Sequence, residues 1–244
     1  VFEGNADEVI YYYSGEVPDV PPMNNGQTTA YLYYLGLPTT HLISALSEND
    51  PRLDEWFDPW VNEDGTSEYI GLAPGLPIDS TGTLEGFSVK DPSYFFEPDK
   101  INAVLMSFSE LNFILAEAAE KGFIDVSAQT YYENGVQASF NQWNLTMPSD
   151  FLTSTVPYEP GNLDRIYEQK WLALYHTCVE AWFDWKRTGK PDFIKAGSGT
   201  INNGLVPVRL KYPPLEQSFN TSNYQAAADR IGGDDINSRV WWDK

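Results

Sequence analysis

The residues best suited to ligand chemistry are aromatic side chains in segments that proline and glycine interrupt. Trp56 and Trp60 lie in NDPRLDEWFDPW (49–60), which has no long amphipathic period, so we expect both on a loop. The C–H face of a sugar ring packs against an indole while its hydroxyls remain free for hydrogen bonds. Since binding residues commonly lie on loops that a rigid scaffold positions, this segment predicts a sugar-binding surface. Packing into a satellite core is the alternative.

Two further aromatic clusters have the same setting between breaks in the chain. Tyr31, Tyr33 and Tyr34 lie in AYLYYLGL, and Tyr94 and Phe95 lie in SYFF. We predict that these side chains extend the ligand-binding surface. Core packing is again the alternative for each cluster.

Carboxylates in the same region could serve a second chemistry, the hydrolysis of a glycosidic bond by two acids across a cleft. Asp54 and Asp58 are candidates, but such clusters are expected without a catalytic role in a chain with 35 acidic residues. The sequence also lacks the H-E-x-x-H, nucleophile-elbow, P-loop and Rossmann patterns. We therefore predict no catalytic residue, and an α-helical glycosidase or lyase stays open as the enzymatic alternative.

The acidic turn NEDGTSE (62–68) is the segment that most resembles a metal site. Counting back from Gly65 places Trp60 where an EF-hand requires its first Asp, so the template fails. Neither of the two histidines has a partner at metal-ligand spacing, and one cysteine cannot form a multi-cysteine site. We predict no cofactor and no metal ligand, with a non-EF-hand calcium site on loop oxygens as the open alternative.

The charge balance narrows the class of partner. Lys and Arg together number 15 against 35 Asp and Glu, which gives a formal charge of −20. This charge disfavours nucleic acid and anionic membrane surfaces, because both are bound through basic groups. The negative charge neither favours nor disfavours the binding of neutral sugars. Cys178 is the single cysteine, so no internal disulfide forms, and its apolar helical surroundings predict a small buried side chain.

The elements that must position these residues fall into two parts. Residues 1–100 are rich in proline and glycine and predict loops, short strands or single helical turns, with a short helix from His41. We expect this part to face the ligand. Residues 101–244 are expected to form the α-helical core of the same domain.

Two helices in the second part should form an antiparallel hairpin, because the link between them is short. The first stops at Gly122, and its apolar face is predicted at Val104, Phe108, Leu111, Leu115 and Ala118. The second begins near Ser127, a favourable N-cap, and its apolar face is predicted at Tyr132, Val136, Phe140 and Trp143.

A third helix is expected to run without interruption from about Leu163 to Arg187. Its apolar stripe at three- and four-residue steps comprises Tyr167, Trp171, Leu174, Cys178, Ala181, Trp182 and Trp185. A stripe of this kind is typical of a core. We therefore predict that these tryptophans hold the fold together and that ligand contacts lie elsewhere.

Several motifs, in order, resemble one known family. The segments LMSFSELNFILAEAAEKGF and YYENGVQASF are similar to the hairpin motif of the SusD/RagB-like proteins, and YEQKWLALYHTCVEAWFDWKRTGKPDF resembles their "QKW…EAW…RRTG-x-P" segment. NDPRL, YIGLAPGL, VPVRLKYPPLEQSFN and the terminal RVWWDK also match. The chain departs from the family at 176–178, where a Pro-Asn-Gly-like turn is usual, and at Lys186, where Arg is frequent.

The resemblance implies a mainly α, irregular SusD-like fold with tetratricopeptide-like helical hairpins, long loops and little β structure. Family members are longer and carry an N-terminal half that follows a lipid-modified cysteine. By this resemblance the chain corresponds to the C-terminal half, and the N-terminal half and the lipid anchor are absent from it.

The resemblance also implies a function. Family members are outer-membrane lipoproteins of Bacteroidetes that bind nutrients at the cell surface and pass them to a SusC-like TonB-dependent transporter. We expect non-catalytic binding of oligo- or polysaccharides at the surface of the outer membrane. A peptide-binding member of the same family, the glycoside hydrolase and a scaffold that binds only other proteins are the alternatives.

Overall fold

The computed structural model describes residues 2–21, 37–76, 86–95, 97, 100–177, 179–197, 199–200 and 202–243. Helices dominate this part of the chain, which confirms the predicted mainly α class with little β structure. The helices are α1 (Thr40–Ala45), α2 (Arg52–Trp56), α3 (Pro92–Phe95), α4 (Phe108–Glu120), α5 (Ala128–Gln142), α6 (Leu163–Ala173), α7 (Glu180–Thr188), α8 (Pro214–Phe219) and α9 (Thr221–Arg230). Across the described ranges, no helix is both long enough and apolar enough to span a bilayer.

The strands are short and pair two by two. They are β1 (Val9–Tyr12), β2 (Phe57–Asp58), β3 (Trp60–Val61), β4 (Ser67–Glu68), β5 (Val89–Lys90) and β6 (Asn102–Met106). β1 pairs with β6, β2 with β5 and β3 with β4, all antiparallel. The β1–β6 pair sets Tyr12 opposite Asn102 and Val9 opposite Met106. Residues far apart in the sequence are thereby brought to one side of the helices.

The first predicted helix begins later than expected. Val104 lies in β6 rather than in a helix, because its backbone pairs with Ile10 of β1. The helix starts at Phe108, after Ser107, whose side-chain oxygen accepts a hydrogen bond from the Glu110 N–H at 3.0 Å. Its predicted end is confirmed, since Gly122 has φ +70° and follows the last turn.

The buried face of α4 also differs from the prediction. The predicted residues Leu111 and Leu115 are half-buried, and the fully buried face comprises Ser109, Asn112, Phe113, Ala116 and Glu117. The polar members of this face have partners. The Ser109 hydroxyl donates to the Gly135 carbonyl at 2.7 Å, and the Asn112 amide donates to the Phe108 carbonyl at 2.7 Å. Because this face includes polar residues, the spacing of the apolar residues alone does not reveal it.

The hairpin of α4 and α5 is confirmed. Ser127 caps α5 by accepting a hydrogen bond from the Thr130 N–H at 3.2 Å. The predicted face of α5 is buried throughout: Tyr132, Val136, Phe140 and Trp143. Ser109 lies against Gly135 and Phe113 against Tyr132, so the two helices run antiparallel.

The expected third helix is broken into α6 and α7. His176 adopts φ +68°, a left-handed conformation that an α-helix cannot contain, and the Thr177 hydroxyl donates to the Leu174 carbonyl at 2.6 Å. The break coincides with the positions where the related family has a turn. Its predicted end is confirmed, because Gly189 terminates α7 with φ +72°. Cys178 lies outside the described residues.

Two buried clusters hold the elements together. One joins α1, α2 and Phe95 of α3 to the helical part through Ile101, Trp143 and Leu172. The other fills the space between α4, α5 and α6, and includes Phe113, Tyr132 and Ile166. The first cluster therefore draws on residues from both predicted parts of the chain.

Candidate functional site

The β3–β4 hairpin presents Trp60, a predicted ligand residue that is accessible. Trp60 is half-buried and pairs with Glu68 across the two strands. Gly65 closes the turn with φ +84°, and the Asn62 N–H donates to the Thr66 carbonyl at 2.8 Å. The aromatic ring therefore lies on a short, hydrogen-bonded support.

Polar side chains on the same hairpin form hydrogen bonds with one another. The Asn62 amide donates to Glu68 Oε1 at 3.2 Å and to Thr66 Oγ1 at 3.1 Å. Asp64 Oδ1 accepts from the Thr66 hydroxyl at 2.7 Å and from its N–H at 3.0 Å, and these bonds hold the pKa of Asp64 below its ordinary value. The Asn62 amide and the carboxylates of Asp64 and Glu68 are thus held in place by hydrogen bonds within the hairpin.

In the calcium-like turn (62–68), Asp64 Oδ1 already accepts hydrogen bonds from other groups of the hairpin. Within the described ranges, no group of three or more His, Cys, Asp or Glu side chains is arranged to hold a metal ion. The predicted absence of a cofactor and its alternative, a non-EF-hand calcium site, both stay untested.

A tyrosine–carboxylate pair borders the hairpin. The Tyr69 hydroxyl donates to Asp54 Oδ1 at 2.6 Å, and its ring packs on the buried cluster that contains Trp56. Burial raises the pKa of Tyr69, and the bond to Asp54 raises it further. The hydrogen bond holds the Asp54 carboxylate in position at the surface, in the chain segment that precedes Trp60.

The neighbouring acids give this face a negative potential. Burial raises the pKa of Glu55 and of Asp58, and repulsion from the Asp91 carboxylate raises both further. Asp54 and Asp58, the predicted candidates for hydrolysis, therefore lie on an acidic surface that can accept hydrogen bonds from hydroxyls.

Two of the predicted ligand residues lie in the core instead. Trp56 is 0% exposed and stacks on Tyr175 with 4.2 Å between ring centroids, while Phe95 is 1% exposed and packs against Trp143. Both rings are buried against other aromatic residues and offer no surface to a ligand. The reason is that α2 and α3 are single turns whose apolar residues close the first cluster, so the satellite-core alternative holds for them.

The remaining predicted residues are four tyrosines. Tyr31, Tyr33 and Tyr34 lie outside the described residues. Tyr94 falls within α3, but its side chain is not described. Their role as ligand contacts stays a prediction.

The tryptophans expected to form the core of the third helix are only partly buried. Trp171, Trp182 and Trp185 line a cavity of about 440 Å³, which we call the tryptophan cavity. The Trp182 indole N–H already has a hydrogen-bond partner, because it donates to the Pro207 carbonyl at 2.9 Å. The prediction is correct for Tyr167 and Leu174, which are buried. It misses the cavity because the expected continuous helix is broken at His176, and Trp171 before the break and Trp182 and Trp185 after it line the cavity together.

A family model for SusD-like proteins, described as starch-binding and associating with the outer membrane, matches residues 1–213. No curated protein matches the chain.

Solved structures share the fold across the whole chain. A SusD homologue from Bacteroides fragilis superposes with a TM-score of 0.78 at 24% identity, and the match covers 100% of this chain and 59% of that one. A SusD homologue from Bacteroides vulgatus gives 0.78 at 23% identity, with 100% and 55% covered. A chitin-binding protein gives 0.76 at 26% identity, with 100% and 56% covered. The chain therefore spans less than two thirds of the length of these relatives.

Proposed function

This chain belongs to the SusD-like family of starch-binding proteins that associate with the outer membrane, and on that premise we propose that it binds glycans without modifying them. The observation that carries the proposal is Trp60, a half-buried indole held on a hairpin whose amide and carboxylate groups lie beside it. An aromatic face with adjacent hydrogen-bonding groups suits a sugar ring, which has both an apolar face and hydroxyls.

The charge of the protein favours a neutral glycan. A formal charge of −20 and the acidic face around Asp58 repel acidic polysaccharides but not neutral ones. The relative described as chitin-binding supports a neutral or amino-sugar polymer as a ligand to be tested first.

The setting that we propose is the bacterial cell surface. There the protein would deliver its glycan to a SusC-like TonB-dependent transporter, and a lipid anchor on an N-terminal segment outside this sequence would hold it to the outer membrane. The family membership supports this proposal. Co-purification of the full-length protein with such a transporter tests it, and absence of the complex in detergent extracts would contradict it.

The binding proposal is tested by affinity electrophoresis in gels that contain starch, soluble chitin or other neutral polysaccharides. A reducing-sugar assay on the same mixtures runs beside it. We expect retardation in at least one gel without release of sugar. Release of reducing ends would instead support the hydrolase alternative, and absence of retardation in every gel would contradict glycan binding.

A further inference from the structure

The break between α6 and α7 forms one wall of a second cavity, of about 250 Å³, next to the tryptophan cavity. We call it the inner cavity. The two cavities share Thr39, Trp171 and Ala181 in their linings. The walls of the inner cavity are mostly apolar, and its polar end is formed by Lys90 and His176.

Lys90 forms no ion pair with any of the described residues. It lies on β5 with its ammonium 5.1 Å from the centre of the Phe95 ring, and within the part of the chain that the structure describes no carboxylate lies within ion-pair distance of it. Burial accordingly lowers the pKa of Lys90. This is unexpected in a chain with 35 acidic residues, because a half-buried cation is costly unless an anion accompanies it.

Two neutral side chains with hydrogen-bonding groups, His176 and Tyr175, line the same cavity as Lys90. The His176 ring is 4.8 Å from the Phe95 ring, and its pKa is lowered to about 3 by burial and then by the charge of Lys90, so the imidazole is neutral. The Tyr175 hydroxyl is buried and has no hydrogen-bond partner in the described structure. Both residues line the inner cavity. The inner cavity is therefore lined by one ammonium group, that of Lys90, and by neutral hydrogen-bonding side chains.

We propose that the inner cavity binds a small carboxylate with an apolar body, whose carboxylate group pairs with Lys90 and whose body packs against Trp171 and Phe57. A single negative charge matches the single ammonium, whereas a dianion such as phosphate would leave one charge without a partner. The volume lies below the roughly 300–1,000 Å³ of sites for drug-sized ligands, so it suits one ring or one side chain. This site is separate from the Trp60 hairpin and does not depend on glycan binding.

Phenylacetate and phenylacetamide test the proposal, because they have nearly the same shape and differ in charge. Titration calorimetry on the purified protein should show binding of phenylacetate, and binding of the amide should be roughly ten- to a hundredfold weaker because a charge-assisted hydrogen bond is lost. Equal binding of both compounds, or binding of neither, would overturn the proposal.

The Lys90→Met variant tests the assigned residue. Methionine keeps an apolar stem of similar length, so urea unfolding should show stability equal to or above that of the wild type, while phenylacetate binding falls to the level of the amide. Lys211→Met, at an exposed lysine, is the matched control and should bind phenylacetate like the wild type. Undiminished phenylacetate binding by a folded Lys90→Met variant would overturn the assignment.

The carboxylate could come from a free acid or from the C-terminus of a peptide. N-acetyl-glycyl-phenylalanine and its C-terminal amide separate these sources. Binding of the peptide acid but not of its amide would show that the site admits a peptide terminus, and binding of phenylacetate alone would restrict it to free acids. Either result supports the carboxylate site.

Discussion

At the scale of single residues, Arg52 is a charged side chain built into the core. Its guanidinium donates to both carboxylate oxygens of Asp50, at 3.0 and 2.7 Å, to the Ser139 hydroxyl at 3.1 Å and to Gln169 Oε1 at 3.3 Å. It also lies 4.8 Å from the centre of the Phe140 ring. The side chain is fully buried and ties α2 to α5 and α6. The NDPRL motif is thus explained by structure rather than by ligand binding.

Arg52→Ala should lower the free energy of unfolding by about 3–5 kcal/mol, because it leaves the buried Asp50 carboxylate without a counter-ion. Equilibrium urea unfolding measures the loss. Arg230→Ala, at an exposed arginine of α9, is the control and should change stability by less than about 0.5 kcal/mol. A loss below about 1 kcal/mol for Arg52→Ala would show that the pair contributes little.

Glu117 links three helices through charge. Its two carboxylate oxygens accept from Arg187 at 2.7 Å each, and Lys121 and the Tyr167 hydroxyl donate at 2.5 and 3.1 Å. Burial raises the pKa of Glu117, but the bonds from Arg187 and Lys121 outweigh this and hold the pKa at about 2. A carboxyl whose folded pKa is depressed stabilises the protein above its unfolded pKa.

The stability supplied by Glu117 should therefore be complete above pH 4.5 and disappear as the pH falls towards about 2. At pH 7, Glu117→Gln should be less stable than the wild type by roughly 1–2 kcal/mol, after allowance for solvent screening. Urea unfolding across this pH range should show the difference narrowing as the pH falls. Glu48→Gln, at an exposed site, should show no such trend. A difference that does not vary with pH would contradict the assignment.

At the scale of elements, the α4–α5 hairpin depends on a close approach at Gly135. A Cβ atom at this position would lie 3.0 Å from Cζ of the fully buried Phe113. Alanine favours a helix over glycine by about 0.8–1 kcal/mol, whereas overpacking a core costs about 1–3 kcal/mol. The cost of overpacking should outweigh the gain in helix propensity.

Gly135→Ala should therefore destabilise the protein by about 1 kcal/mol. In the Phe113→Leu background the ring is gone, so the same substitution should be neutral or stabilising. Thermal unfolding of the four variants of this double-mutant cycle gives the coupling between the two positions. If the effects of the two substitutions on stability are additive, the Phe113 ring accommodates the added methyl group without a cost in free energy.

The helices that sequence predicts best are those with caps and local signals. Ser127, Gly122 and Gly189 act within one turn of chain, so the ends that they mark are found where expected. β6 was missed because its partner, β1, lies almost a hundred residues earlier. The break at His176 was missed because its left-handed conformation has no glycine to signal it, although the turn found there in related proteins pointed to it.

At the scale of the whole molecule, the two predicted parts share one buried cluster. Trp56 of the first part stacks on Tyr175 and contacts Trp143 at 5.4 Å between ring centroids. The segment 49–60 was expected to be a loop, but it forms α2, β2 and β3, so Trp56 lies in a helix and Trp60 in a strand. Whether the two tryptophans turn inwards depends on packing with helices about a hundred residues away in the sequence. Trp56 and Phe95 were accordingly misassigned to the ligand, and Trp60 stays a candidate.

A chain that contains only residues 101–244 should consequently fail to form a stable core. Removal of the first part exposes Trp143 and Leu172, which it covers. Near-ultraviolet circular dichroism should show weak aromatic signals for this fragment, and its urea unfolding should lack a cooperative transition. A sharp transition like that of the full chain would show that the helical part folds by itself.

The central claim, glycan binding on the Trp60 hairpin, is tested most directly by the dissociation constant of the retarded polysaccharide for Trp60→Ala. Trp241→Ala is the matched control, because Trp241 is 87% exposed and lies at the opposite end of the chain. We predict about tenfold weaker binding for Trp60→Ala, through loss of the stacking surface, and unchanged binding for Trp241→Ala. Wild-type affinity in the Trp60→Ala protein would contradict the claim.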